Sequence, residues 1–205
     1  MKNEQVGPLV EPLGRAFAST RAVLVHVQAG QLEAPTPCAS WDVRALIEHF
    51  TGSARWAAAA IGGEEAAGED RAAVDFIAAY DQAINGALVA FGADGALEKA
   101  VTLPWGEFSG VALMWLAVND QFVHGWDLAR AIGHDTDLDP GLAEELLVRG
   151  QDWITDAYRG PDGAGLFGPA VKVPAGVSPA DRLAAFLGRS YQAEIKRPGA
   201  CRPGA

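Results

Sequence analysis

The segment NDQFVHGWDLARA, residues 119–131, places three titratable side chains inside an almost entirely apolar stretch. Asp120, His124 and Asp127 are spaced i, i+4 and i+7, so on a helix they share one face within about 60°. The same face carries apolar residues such as Leu113, which indicates that it points into the core. An unpaired carboxylate buried there is strongly destabilising. The fold must therefore supply a buried arginine, a hydrogen-bond network or a metal ion.

The second predicted helix offers a partner for this face. Its apolar stripe includes Leu46 and Phe50, and His49 lies on the flank of that stripe. If both helices belong to one bundle, His49, Asp120 and His124 point toward a common place. Two imidazoles and a carboxylate suit Zn²⁺ or another first-row divalent ion such as Ni²⁺, and three protein ligands leave a position open. The alternative is that both histidines are satisfied core residues and Asp120 pairs with an arginine.

Helical periodicity and capping residues predict six helices and little strand. Ser40 is the predicted N-cap of the second helix, and Asp139-Pro140 opens the fifth. Two short extended segments are expected, at 98–106 and at 170–173. The predicted helices cover residues 9–30, 41–61, 71–92, 110–132, 140–158 and 178–191.

This order of elements predicts a mainly α protein. Residues 1–135 form a four-helix bundle, with a connection between helices 3 and 4 long enough to cross over it. Residues 136–195 form a small α-rich C-terminal extension packed on the bundle, and the Gly/Pro-rich residues 196–205 form a flexible tail.

The amino-acid composition argues against some classes of binding partner. The net charge of −10 and the pI near 4.8 argue against nucleic acid or an anionic membrane surface. No apolar run reaches the roughly 18 residues of a membrane-spanning helix, and no secretory signal is visible. Cys38 and Cys201 do not form a disulfide framework, so a reduced cytoplasmic protein, monomeric or homodimeric, is the expectation.

Asp127 and Cys38 allow both a functional and a structural interpretation. Asp127 can orient a metal-bound histidine or water, but we favour a structural ion pair with Arg130 or Arg44. Cys38 precedes the helix that carries His49, yet nothing basic adjoins it in sequence, which favours inert packing over catalysis.

Two arginines and two tryptophans also allow both a functional and a structural interpretation. Arg182 and Arg189 can reach over the site to hold a carboxylate, although an acidic protein also needs surface arginines. Trp41 and Trp126 are interpreted as packing residues rather than as residues that stack on a substrate.

Three strings resemble a bacterial family. They are PTPCASWDVRALIEH (35–49), VHGWDLARAIG (123–133) and DRLAAFLGR (181–189). The sequence resembles the mycothiol-dependent maleylpyruvate isomerase N-terminal domain family, within the DinB-like metal-binding four-helix bundles. The resemblance covers nearly the whole chain. It implies a DinB-like bundle whose metal ligands are His49, Asp120 and His124, with mycothiol as co-substrate.

Two functions of different classes follow. In the first, an open divalent metal activates a small-molecule thiol as thiolate for attack on an electrophilic substrate, in S-transfer or in cis–trans isomerisation. In the second, the bundle is a metal-binding or regulatory module without turnover. No side chain stands out in the sequence as a general base.

Overall fold

A computed structural model describes residues 6–63, 75–104, 106–161 and 165–190 of the chain. Within these residues helices dominate, and the predicted mainly α fold is confirmed. None of the described helices is long and apolar enough to span a membrane. The helices are α1 (Val6–Leu24), α2 (Val43–Gly62), α3 (Phe76–Phe91), α4 (Gly110–Ile132), α5 (Pro140–Trp153) and α6 (Pro179–Phe186), with strands β1 (Ala100–Leu103) and β2 (Gly106–Ser109).

The chain forms two compact units. One comprises Met1–His26 and Ile47–Gly125, and the other comprises Val27–Leu46 and Trp126–Ala205. The predicted domain boundary after residue 135 stays a prediction, and the predicted tail at 196–205 lies outside the described residues.

Aromatic packing holds α1, α2 and α3 together in the first unit. Tyr80 on α3 is fully buried. Its ring forms T-shaped contacts with Phe17 on α1 and with Phe50 on α2, at centroid distances of 6.4 and 5.1 Å. T-shaped pairs of this kind stabilise by about 0.5–1.5 kcal/mol beyond their area burial. These two contacts join α3 to α1 and to α2.

Gln121 on α4 joins all four helices of the bundle, and it is completely buried. Its backbone oxygen accepts from the Thr20 hydroxyl of α1 at 2.7 Å, and its amide nitrogen donates to the Phe50 carbonyl of α2 at 2.7 Å. The Tyr80 hydroxyl of α3 donates to its side-chain oxygen at 2.8 Å. A fully satisfied buried polar group of this kind specifies one arrangement of the helices.

The connection between α3 and α4 is a β-hairpin rather than the single extended segment predicted at 98–106. β1 and β2 are antiparallel, with Leu103 opposite Gly106 and Val101 opposite Phe108. Gly106 has a φ of 142°, a backbone conformation that L side chains rarely adopt. β2 has only four residues, and so short a segment was not predicted as a strand.

Several predicted helix boundaries are wrong. α2 begins at Val43 rather than at residue 41, and Asp42 rather than Ser40 caps it, because the Asp42 carboxylate accepts from the Ala45 backbone N–H at 2.8 Å. α1 ends at Leu24 rather than at residue 30, and a short 3₁₀ turn follows at Ala29–Gln31. The β-branched residues after Leu24 disfavour further helix.

The second unit contains α5 and α6. The predicted N-cap of α5 is confirmed, because Asp139 accepts from the Leu142 N–H at 3.0 Å. Ser178, near which the last helix was predicted to begin, caps α6 and accepts from the Asp181 N–H at 3.1 Å. α5 ends at Trp153 rather than near residue 158, where a 3₁₀ turn forms instead. α6 ends at Phe186 rather than near residue 191. The strand predicted at 170–173 is absent from the described residues.

Candidate metal centre

α4 and α2 bring the three predicted ligands of the first unit together. Asp120 and His124 lie one turn apart on α4, with the His124 Nε2 3.5 Å from the Asp120 Oδ1. His49 on α2 places its Nε2 3.3 Å from the same oxygen. The two imidazole rings meet edge to face, with centroids 4.7 Å apart. One carboxylate oxygen therefore faces two ring nitrogens.

The spacing of these atoms fits a metal site. One potential ligand atom from each of the three residues lies within 4.8 Å of the others. Two ligand atoms bound at about 2.1 Å to a tetrahedral ion lie about 3.4 Å apart. The observed N–O separations of 3.3 and 3.5 Å are close to that edge length. The donor set, two imidazole nitrogens and one carboxylate oxygen, is one that first-row divalent metals accept.

The Asp120 carboxylate faces the two histidines. Burial raises the pKa of Asp120, but the charges and hydrogen bonds of His124 and His49 outweigh it, so the pKa of this carboxyl lies well below its usual range. No arginine or lysine of the described chain forms an ion pair with Asp120. The alternative of an arginine partner is therefore not what this structure shows. The carboxylate form is also the form that binds metals.

The three side chains are partly accessible from outside. His124 is 11% exposed, Asp120 27% and His49 33%. A small molecule from solution can therefore reach His49 and Asp120.

Ser53 and Gln121 form hydrogen bonds on the side of Asp120 away from the histidines, and no role was predicted for either residue. The Ser53 hydroxyl, one turn after His49 on α2, donates to the Asp120 Oδ2 at 2.5 Å. The Gln121 amide nitrogen donates to the Ser53 Oγ at 2.8 Å. The i, i+4 spacing places His49 and Ser53 on one face of α2, and this much can be read from the sequence. The role of Ser53 can be recognised only when Asp120 is found opposite it.

A second group of ionic side chains lies in the second unit. Asp127 is fully buried and accepts from Arg189, at 3.2 Å from Nε and 3.0 Å from Nη2. The Cys38 thiol donates to the same carboxylate at 3.2 Å. Burial lowers the pKa of Arg189, but the Asp127 carboxylate more than offsets this and raises that pKa above its usual value.

This group gives Asp127 a partner that was not predicted. A structural ion pair was expected with Arg130 or Arg44, and Arg189, 62 residues away in the chain, supplies one. Arg189 does hold a carboxylate, but it is one of the protein's own. No basic residue adjoins Cys38 in the sequence. In the structure, however, the Arg189 Nη2 lies 3.9 Å from the Cys38 sulfur.

The remaining candidates have structural partners. Arg182 pairs with Glu144 at 2.9 Å on the surface. Trp126 is 2% exposed, and its indole N–H donates to Asp181 at 2.9 Å, so it packs in the second unit. Trp41 is only half-buried.

Two neighbouring helices of the bundle bring two imidazoles and a carboxylate together. This arrangement places the protein in the class of candidate metal-binding helical bundles. The sequence profile of the mycothiol maleylpyruvate isomerase N-terminal domain family matches residues 13–129, a range that includes all three candidate ligands. The chain belongs to this family.

Two relatives are similar over most of their length. They are uncharacterized proteins of Mycobacterium tuberculosis, from the strains CDC 1551 / Oshkosh and H37Rv. Each is 39% identical over 182 residues, which cover 87% of this chain and 96% of the relative. No solved structure matches the chain at a significant level.

Proposed function

We propose that His49, Asp120 and His124 bind one divalent metal, with Zn²⁺ as the first candidate and Ni²⁺ or another first-row ion as the alternative. The observation that carries the proposal is the meeting of two imidazole Nε2 atoms at one oxygen of Asp120, at 3.3 and 3.5 Å. The two histidines supply neutral nitrogen donors, and Asp120 supplies one negative charge. The fourth position is left to a ligand from solution.

The proposed ligand is a small-molecule thiol, and mycothiol is the specific candidate. The name of the matching family supports mycothiol, and the partial exposure of His49 and Asp120 supports access by a small molecule. A bound divalent metal lowers the pKa of a coordinated thiol and holds it as thiolate at neutral pH. The three protein ligands orient that thiol and leave it open to an electrophile.

The proposed reaction is thiol transfer to an electrophilic small molecule, or cis–trans isomerisation through reversible thiol addition. Both reactions start from the same activated thiol, and activation at the metal requires no separate general base. The second candidate function, a metal-binding or regulatory module without turnover, rests on the same three ligands.

Turnover distinguishes the two functions. The fully metallated protein is incubated with mycothiol and a panel of electrophiles that includes maleylpyruvate, and loss of thiol and of electrophile is followed. The enzyme proposal expects consumption that stops when a chelator removes the metal, resumes when metal is added back, and is lost in His49→Ala. Metallated protein that consumes no electrophile refutes the enzyme proposal and leaves the binding module.

A further inference from the structure

The two oxygens of the Asp120 carboxylate have different partners. Oδ1 faces His49 and His124, whereas Oδ2 accepts a hydrogen bond of 2.5 Å from the Ser53 hydroxyl. That length is typical of a hydroxyl bound to an ionised carboxylate, one of the stronger hydrogen bonds in proteins. Oδ2 is therefore already engaged on the side away from the histidines.

The Ser53 proton has only one good destination. A serine hydroxyl carries one proton and two acceptor sites. Gln121 Nε2 donates to the Ser53 Oγ at 2.8 Å and uses one of those acceptor sites. Of the two oxygens within reach, the Asp120 Oδ2 is charged and lies at 2.5 Å, and the Phe50 carbonyl is neutral and lies at 3.1 Å. The proton therefore lies toward Asp120.

Gln121 is itself held in one orientation. The Phe50 carbonyl can only accept, so the amide nitrogen of Gln121 must face it, at 2.7 Å. The amide oxygen then accepts from the Tyr80 hydroxyl at 2.8 Å. Burial raises the pKa of Tyr80 far above its usual value, and this keeps its hydroxyl protonated as a donor. The directions of the chain of hydrogen bonds from Tyr80 to Asp120 are thus all determined.

We propose that Ser53 and Gln121 are positioning residues that restrict Asp120 to a single metal-binding oxygen. Because Ser53 engages Oδ2, Asp120 offers only Oδ1 beside the two imidazoles. A carboxylate free to bind through both oxygens would take up a further coordination position. The restriction keeps that position open for a thiol, so the inference rests on the proposed function and adds to it.

The primary test is the affinity for Zn²⁺, measured by calorimetric titration of the apo protein. Ser53→Ala removes the hydrogen bond to Oδ2 and is expected to weaken binding by about 10–100-fold, as loss of a group that orients a metal ligand does. Ser53→Thr keeps a hydroxyl on α2 and should bind close to the wild-type value. Thr51→Val is the matched control, since it removes a buried hydroxyl of the same helix for which the described structure shows no hydrogen-bond partner.

A second measurement reports on coordination. Four-coordinate Co²⁺ absorbs visible light more strongly than five- or six-coordinate Co²⁺, so the wild-type Co²⁺ protein should show the strong bands. Ser53→Ala, which frees Oδ2, should show weaker bands, and Ser53→Thr should restore them. A merely structural role of Ser53 changes the unfolding temperature and leaves the Co²⁺ spectrum unchanged.

The outcomes separate this inference from the proposed function. If the wild type binds Zn²⁺ and His49→Ala abolishes binding, the metal site stands. Ser53→Ala binding as tightly as wild type, Thr51→Val weakening it equally, or weak wild-type Co²⁺ bands then overturns the positioning role alone. If the wild type does not bind Zn²⁺ or Co²⁺, both proposals fail.

Discussion

Arg189→Met removes the cation that neutralises a fully buried carboxylate. The Arg189 side chain is 15% exposed and Asp127 is not exposed at all, and two hydrogen bonds of 3.0 and 3.2 Å join them. Removal of one partner of such a pair costs about 3–5 kcal/mol, because the other charge stays buried and loses its paired cation. In a protein of this length about 1 kcal/mol shifts Tm by about 2–4 °C, so Tm should fall by about 6–20 °C.

The assay is thermal unfolding at pH 7 in the presence of a chelator. Arg182→Met is the matched control, because Arg182 pairs with Glu144 where the two side chains are 41% and 62% exposed. Exposed pairs contribute about 0–1 kcal/mol, so this variant should unfold within about 4 °C of wild type. Adding Asp127→Asn to Arg189→Met should recover part of the loss, since no buried charge then remains. Equal Tm values for the two single variants would show that the buried pair contributes no more than the exposed one.

Other predictions concern the first unit. Gly125→Ala should destabilise by about 1–3 kcal/mol in urea unfolding, because the new Cβ would lie 2.4 Å from the Thr20 Oγ1. Gly52→Ala, where a Cβ meets nothing within 4 Å, should stabilise by about 0.5–1 kcal/mol, and the same sign for both variants would contradict the close approach of α4 to α1 at Gly125. The hydrogen bond from Arg21 lowers the pKa of Asp81, so this pair stabilises the fold above the ordinary carboxyl pKa and loses its contribution as the pH falls through the lowered value. An NMR titration should show the pKa of Asp81 rising in Arg21→Met, and an unchanged value would be evidence against the pair.

Local patterns were enough to predict several elements. α4 was predicted at residues 110–132 and is found there, because its apolar run is long and Gly133, with a φ of 73°, ends it. The i, i+4 spacing fixed Asp120 and His124 on one face, since helix geometry alone determines it. The prediction that His49 lies beside Asp120 and His124 required the further assumption that the two helices belong to one bundle.

Features that depend on distant residues were not predictable in the same way. Asp127 needed a cation, but nothing in the sequence distinguishes Arg189 from Arg130 or Arg44 as its source, because the choice depends on how separate segments pack. The role of Ser53 likewise depends on which oxygen of Asp120 faces the histidines. Packing between segments, rather than local propensity, decides both.

The metal content of the protein tests the central proposal most directly. Wild-type protein, His124→Ala and His134→Ala are purified from unsupplemented cultures and compared by elemental analysis. His124 lies against Asp120, whereas His134 is exposed, so only the first variant should lose the metal. We expect about one divalent ion per chain in wild type and in His134→Ala, and little in His124→Ala. Equal metal stoichiometry in the two variants would contradict the assignment of the site.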